Sequence, residues 1–400
     1  MEFSTNLNIK LMRWNIAPNL DIDKISSLKC LLLGAGTLGC SVSRSLIGWG
    51  IQNISFVDNG KVSYSNPTRQ CLFEFEHVGQ FKSEIAARKL QEIYPLISSQ
   101  GHILTIPMPD HIEQNFDEFS STMTQLEDLI DSHDVIFLLT DTRESRYFPT
   151  LLCAAKNKLL INAALGFDSL LVMRFHLIVL NDYLNIKLII DFRHGGHPLS
   201  VSESKEKKGE NELDERRLGC YFCTDVISPK NSTINRTLDQ QCTVTRPGLA
   251  MIAGGLCCEL AVNIIHHPLH LQAPAPLNNN NSNSADQSSS SSETIMGLHR
   301  TTSSTNQQKN KYALLPHSIR MFLSSYSSVN PTIPAYNHCS ACSPPIIFEY
   351  EKRGHEFLFQ VCNQANILEE VSGLREIKEK LEENMDDVDF DWIEDEEDDF

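Results

Sequence analysis

Short blocks rich in apolar and β-branched residues recur along the first half of the chain and predict strands over 29–33, 53–57, 102–106, 134–140 and 158–163, with another near 170–173. Between them apolar positions return every three or four residues, predicting helices over 37–49, 83–94 and 119–132. Strand and helix in alternation imply a doubly wound, mostly parallel sheet with helices on both faces. The pattern blurs afterwards: 176–192 suits an edge hairpin, and the charged stretch 193–217 lacks periodicity and reads as an insertion. Helical spacing returns over 247–267, with Pro247 suited to the first turn and Pro268 just past the last. A polar low-complexity tract, 277–310, cannot bury enough surface to fold. Ordered sequence resumes over 312–320, then a helix over 345–363, and a final helix over 374–384 leads into an acidic tail.

Composition narrows the class. With 400 residues, 41% of them hydrophobic, the chain has material for a large α/β domain, and no run suggests a membrane span. The start, MEFSTNLNIK, lacks the basic and apolar regions of a secretory signal, so a reducing, cytoplasmic setting is expected. In that setting 12 cysteines point to metal ligands, a nucleophile and buried thiols rather than disulfides. A net charge of −17 argues against nucleic acid as a partner. Ten acidic residues lie between Asn384 and Phe400, where there is no Lys or Arg, so much of the charge belongs to the tail. In the lead-in segment, 1–27, Leu11, Trp14, Ile16 and Leu20 can dock on the core, Pro18 rules out one long helix, and Arg13 is either a phosphate contact or a surface charge.

The chemistry gathers around LLLGAGTLGC, residues 31–40, a strand running into a glycine turn and a helix. Gly34 permits the turn, Gly36 lets backbone N–H groups approach a polyphosphate, and Gly39 lets the helix pack closely. The helix N-terminus then faces the anion. Asp58 ends the next strand, where a carboxylate accepts ribose hydroxyls. This motif suits NAD as well as ATP, and a turn that binds nothing is the plain alternative. The loop NGKVSYSNPTRQ presents Asn66 and Arg69, and Lys82 opens the following helix. Cations beside a phosphate cradle favour phosphoryl or adenylyl transfer, although each can equally be a solvated surface charge. Asp141, after the strand VIFLLT, can hold Mg²⁺ against phosphates or cap the next helix.

Two CxxC pairs, Cys220 with Cys223 and Cys339 with Cys342, have the knuckle spacing of a structural Cys₄ zinc site. In TLDQQCTVTRPG, Cys242 lies in a polar loop before a helix and near Arg246, a setting that favours a thiolate nucleophile; a packed thiol is the alternative. Cys257 and Cys258, inside an apolar helix, read as core.

Taken together, GAGTLGC, VDNG, NPTRQ, Lys82, LLTDTRESR, the two knuckles and LDQQCTVTRPG resemble the autophagy activating enzymes for ubiquitin-like proteins, relatives of the ubiquitin-activating and sulfur-carrier adenylating enzymes. The resemblance runs from about residue 11 to 373 and implies a ThiF-like adenylation domain over 28–373, with ATP and Mg²⁺ rather than NAD. It implies adenylation of a modifier's C-terminal glycine and then a thioester on Cys242. Gly34, Gly36 and Gly39 would cradle phosphate, Asp58 would hold the ribose, Asn66, Arg69 and Lys82 would contact phosphates, and Asp141 would hold Mg²⁺. The implied partners are two ubiquitin-like autophagy modifiers, one later joined to phosphatidylethanolamine and one to another protein, their conjugating enzymes and a second copy of the chain. Work at the pre-autophagosomal structure follows from the same resemblance. The family carries a further N-terminal domain that captures the conjugating enzyme, and the chain is expected to be a fragment or short form, which puts hand-over in question. In the tail 374–400, Phe390, Trp392 and Ile393 resemble a short modifier-binding motif, with plain solubility as the alternative. A non-catalytic module that holds modifier or nucleotide is the second reading, and an NAD-dependent oxidoreductase, disfavoured by NPTRQ and the knuckles, the third.

Overall fold

A computed structural model describes residues 6–15, 17–175, 217–225, 227–232, 244–276, 294–295, 298–299, 314–364 and 366–386. Cys242, the expected hairpin 176–192, most of the insertions 193–217 and 277–310, and the tail residues Phe390, Trp392 and Ile393 lie outside them.

Eight strands form one sheet: β1 (Lys29–Leu33), β2 (Asn53–Val57), β3 (Ser98–His102), β4 (Val135–Leu138), β5 (Leu159–Leu165), β6 (Ser169–Phe175), β7 (Ser318–Phe322) and β8 (Ser327–Val329). Their order across the sheet is β8-β7-β6-β5-β4-β1-β2-β3. The first five run parallel, and β6, β7 and β8 extend the sheet antiparallel. Because β1 lies between β2 and β4, the strand order reverses there, and a crevice opens at the carboxyl ends of β1 and β4.

Alternation within β1 feeds two cores. Cys30 and Leu32 join the layer of α1 (Leu7–Asn15), α2 (Ile22–Ser27), α3 (Thr37–Gly48), α4 (Lys82–Ile93) and α7 (Pro247–His266). Leu31 and Leu33 face α5 (Phe116–Ser132), α6 (Tyr147–Ala155), α8 (Pro344–Arg353), α9 (His355–Asn363) and the four knuckle cysteines. Burial on both faces explains why the strand is apolar without interruption, each buried leucine contributing about 2 kcal/mol. Two further helices, α10 (Ile367–Ser372) and α11 (Leu374–Asp386), close the chain's described part.

Three expectations need correction. The third strand is Ser98–His102, not 102–106: β3 is an edge strand with only β2 beside it, so polar SSQGH suffices, while Leu104 is buried beyond the strand's end. Gly101 is required within it, since a side chain there would run into the Ser83 backbone at 2.4 Å. The helix expected over 345–363 is two, because Gly354 takes φ +56° and turns the chain between them. Finally, α7 is long and apolar enough to cross a membrane by length and composition, contrary to the reading of the sequence. Its packing explains that composition: Leu249, Ala253, Cys257, Leu260 and Ile264 are buried in the first core, and Gly254 admits the backbone of Ser41 in α3.

Candidate nucleotide site and cysteine cluster

The residues at the strand-order reversal form a tied loop. Gly34 donates its N–H to Val57 O at 2.8 Å and takes φ +115°, a conformation open to glycine, with the Leu139 carbonyl 3.1 Å from where a side chain would start. Gly39 touches the turn it follows, because a Cβ there would stand 2.2 Å from Gly34 O. Gly36, which caps α3, has the opposite surroundings: nothing lies within 4 Å of its absent Cβ. The opening is at the helix N-terminus, where uncompensated N–H groups favour an anion, so the residues present fit a phosphate group.

Asp58 clasps the turn. Its Oδ2 accepts from Ala35 N at 2.8 Å and its Oδ1 from Gly60 N at 2.7 Å, leaving further lone pairs on each oxygen for ribose hydroxyls. Lys82 opens α4 and donates its own N–H to Gly60 O at 2.9 Å; its ammonium lies 3.8 Å from the Gly60 Cβ position. The loop thus brings Lys82 beside Asp58. Asn66 is buried and largely occupied in folding that loop: its Oδ1 accepts from Ser63 N, and its carbonyl accepts from Arg69 N and Gln70 N. Arg69 is exposed, with Nη1 3.3 Å from Ser65 O.

Asp141 is exposed just beyond β4. It is not the cap of the following turn, because Thr142 Oγ1 accepts the Ser145 N–H at 3.3 Å in that role. The carboxylate therefore remains at the crevice edge, with the donor chemistry that Mg²⁺ prefers. Behind it stands Arg146, buried and bonded to Asn162 Oδ1, Ala163 O and Thr140 O. Burial lowers its pKa from the usual guanidinium value, and Asp141 and Tyr221 push the other way. Arg146 also lies over the Tyr221 ring at 5.2 Å, while Arg143 pairs with Asp225 at 2.9 Å and lies over Phe222 at 5.8 Å. Sequence reasoning missed this joint between TDTRESR and the first knuckle. Its only signal was two arginines in a polar turn, a pattern that ordinarily reads as exposed.

The four knuckle cysteines are buried, and their sulfurs lie within 4.8 Å of one another. Cys220 Sγ is 3.5 Å from Cys339 Sγ and 3.8 Å from Cys223 Sγ, and Cys223 Sγ is 3.4 Å from Cys342 Sγ. Sulfurs bound about 2.3 Å from one zinc stand about 3.8 Å apart at tetrahedral corners, whereas a disulfide would need about 2.05 Å. Backbone N–H groups point at the sulfurs: Phe222 to Cys220, Tyr336 to Cys223 and Ala341 to Cys339, at 3.3, 3.4 and 3.5 Å. Such donors stabilise thiolates, so the set fits zinc in donor type, number and spacing. By contrast burial pushes the Cys40 and Cys257 thiols up to about 12, which makes both inert core residues.

Residues 8–302 match the ThiF family. The chain belongs to the ThiF family. Ubiquitin-like modifier-activating enzyme ATG7 of Gallus gallus is 44% identical over 386 residues, covering 93% of this chain and 50% of that protein. The Homo sapiens protein of the same name is 43% identical over 386 residues, with the same coverage of 93% and 50%. In Debaryomyces hansenii the figure is 41% over 407 residues, covering 98% and 53%. The chain spans about half the length of the curated relatives it matches. Among solved structures, the microcin C7 biosynthetic enzyme MccB in complex with N-formylated MccA aligns with a TM-score of 0.50 at 18% identity, over 86% of this chain and 75% of that one, a likeness of fold.

This ThiF-family chain also has a cavity of about 350 Å³ on the antiparallel side of the sheet. Leu165, Gly166 and Leu171 from β5, β6 and their turn, with Arg320 from β7, line it opposite Arg143 and Tyr221.

Proposed function

We propose that residues 28–373 form an adenylation domain that activates the C-terminal glycine of a ubiquitin-like modifier with ATP and passes the acyl group to Cys242. The observation that carries the reading is the meeting, at one end of the sheet, of the open space at Gly36 with the Asp58 clasp and the Lys82 ammonium. The names of the relatives supply the substrate class.

In the first half-reaction the modifier's terminal carboxylate oxygen bonds to the ATP α-phosphorus as the bond to the β-phosphate oxygen breaks, giving acyl-adenylate and pyrophosphate. The chain's contribution is orientation and charge. Free N–H groups at the start of α3 and the glycine turn cradle phosphate, Asp58 fixes the ribose, and Lys82 and Arg69 draw off the growing negative charge. Asn66 holds the loop that presents Arg69. Asp141 would hold Mg²⁺, which when bound neutralises phosphate charge. Cys220, Cys223, Cys339 and Cys342 would hold a structural zinc that pins the two knuckles together. In the second half-reaction the Cys242 sulfur bonds to the acyl carbon, the carbon–oxygen bond to AMP breaks, and the thiol proton passes to solvent.

Cytoplasmic residence at the pre-autophagosomal structure, a second copy of the chain, and conjugating enzymes as partners belong to the same proposal. So does a tail in which Phe390, Trp392 and Ile393 dock on the modifier; deleting residues 384–400 should then weaken modifier binding.

The test mixes the chain with Mg-ATP and a ubiquitin-like modifier and compares non-reducing with reducing gels, alongside Cys242→Ser and a pyrophosphate-exchange assay. An ATP-dependent, thiol-labile adduct that Cys242→Ser abolishes is expected. Exchange without an adduct would remove the transfer step from the proposal. Loss of both would leave a module that only holds nucleotide or modifier.

A further inference from the structure

The turn beyond β4 is bound to both knuckles. Arg143 pairs with Asp225, two residues past Cys223, at 2.9 Å and lies over the Phe222 ring at 5.8 Å. Arg146 lies over the ring of Tyr221, which stands between Cys220 and Cys223 in the chain, at 5.2 Å. Tyr147 packs edge-on against Phe222 at 5.7 Å and donates its hydroxyl to Ser340 O, between Cys339 and Cys342, at 2.8 Å. Neighbouring residues of one turn thus reach the sequence inside each CxxC pair.

Arg146 reaches the crevice as well. Its Nη2 donates to Thr140 O, the carbonyl of the peptide that leads into Asp141, and its Nη1 donates to Asn162 Oδ1 and Ala163 O on β5. Thr140 stands beyond β4: Leu139 before it donates to Leu33 O at 2.9 Å, and the Thr140 hydroxyl has no partner among the described residues. The guanidinium is buried, and its described hydrogen-bond acceptors are all uncharged. Withdrawing a cation from water without a carboxylate bonded to it is costly, and a core that needed only filling takes an apolar side chain there. The planar fork can hold Thr140, Asn162 and Ala163 at once while its face lies over Tyr221.

We infer that Arg146 is a positioning residue: held on the knuckle side by Tyr221, it fixes the Thr140–Asp141 peptide so that the Asp141 carboxylate stands at the crevice edge ready for Mg²⁺ beside a phosphate. The inference rests on the reading of Asp141 as the Mg²⁺ ligand. Arg146 acts through the Thr140 carbonyl and not on nucleotide. Its loss should therefore weaken the Mg²⁺-dependent part of ATP binding and spare the part that the glycine turn, Asp58 and Lys82 supply.

The experiment measures ATP binding to the full chain by calorimetry, without Mg²⁺ and across a Mg²⁺ titration, together with amide hydrogen exchange over residues 139–146. Asp141→Asn sets the scale for a lost ligand. Arg146→Lys keeps the charge and loses the fork; it should bind Mg²⁺-free ATP within about twofold of the unaltered chain and need about fivefold or more Mg²⁺ for half-maximal tightening. Tyr221→Leu removes the ring and leaves the hydrogen-bonding groups in place, so it tests the idea even if Arg146→Lys does not fold. It should raise the Mg²⁺ requirement by a smaller factor and speed amide exchange over 139–141. Tyr221→Phe, which keeps the ring face, should restore both. A Mg²⁺ requirement unchanged in either variant that folds, or equal losses with and without Mg²⁺, would overturn the inference and leave Asp141 as the ligand. ATP binding that ignores Mg²⁺ in the unaltered chain would overturn the reading of Asp141 and the inference with it.

Discussion

Removing the metal that the cysteine cluster fits should unpin two segments far apart in sequence. Cys220 and Cys339 are 119 residues apart, so one ion across the two knuckles closes a very long loop. By the chain-entropy argument used for cross-links, closing a loop of that length is worth about 4 to 5 kcal/mol. That figure is an upper bound. Gly219 N also bonds Ile333 O and Ala335 N bonds Arg217 O, each at 2.8 Å, and these contacts share the closure. A net loss of about 2 to 4 kcal/mol is therefore expected for Cys339→Ser or for thorough chelation, with a melting temperature lower by about 3 to 6 °C. The effect should reach the second core directly, because the Tyr147 hydroxyl donates to Ser340 O at 2.8 Å and the Tyr147 ring packs edge-on against Phe222. The assay is metal content by plasma mass spectrometry on freshly purified reduced chain, then melting curves with and without chelator. About one zinc per chain and a chelator-sensitive melt are expected. A metal-free chain whose melt ignores chelator, or an intact mass showing two disulfides, would refute the reasoning.

The glycine turn separates fold from ligand. Gly36→Ala fills only the open space at the start of α3, so it should leave the melt nearly unchanged and weaken ATP in a competition binding assay. Gly39→Ala must push against Gly34 O at 2.2 Å, and it should lower both stability and affinity; equal melts for the two variants would count against this geometry. Asp58→Asn keeps one acceptor oxygen but turns an amide N–H₂ toward Ala35 N or Gly60 N, at a cost of about 1 to 3 kcal/mol and with weaker nucleotide binding by calorimetry. His133 donates from Nδ1 to Leu129 O at 2.6 Å and accepts from Ser55 Oγ at 2.8 Å, and burial holds its pKa below the ordinary 6.5. The folded chain therefore binds its proton less readily than the unfolded chain. The stability it contributes is present above pH 6.5 and lost as pH falls toward the folded value, at no more than about 1.4 kcal/mol per pH unit. Urea midpoints measured across that range check it, and a slope unchanged in His133→Gln would remove His133 as the source.

Local pattern by itself determined most of the parallel half. β1 and β2 have the boundaries that the apolar runs predict, since strands buried on both faces must be apolar throughout and the glycines and Asp58 bracket them. Of the three glycines, Gly39 alone meets a constraint set a few residues away, the Gly34 carbonyl; Gly34 is confined by Leu139 beyond β4, and Gly36 faces open space. The knuckle pairs named their chemistry and were expected to share one site; the tertiary structure brings their sulfurs, 119 positions apart, together, with Gly219 N on Ile333 O and Ala335 N on Arg217 O joining the segments beside them. Edge strand β3 escaped the pattern because a strand with one neighbour need not be apolar. Residues Arg143, Glu144 and Arg146 escaped it more completely. Charged side chains in a polar turn carry no local mark of burial; the fold buries Arg146 against Thr140, Asn162 and Ala163 and Glu144 against Ser232, and pairs the half-buried Arg143 with Asp225.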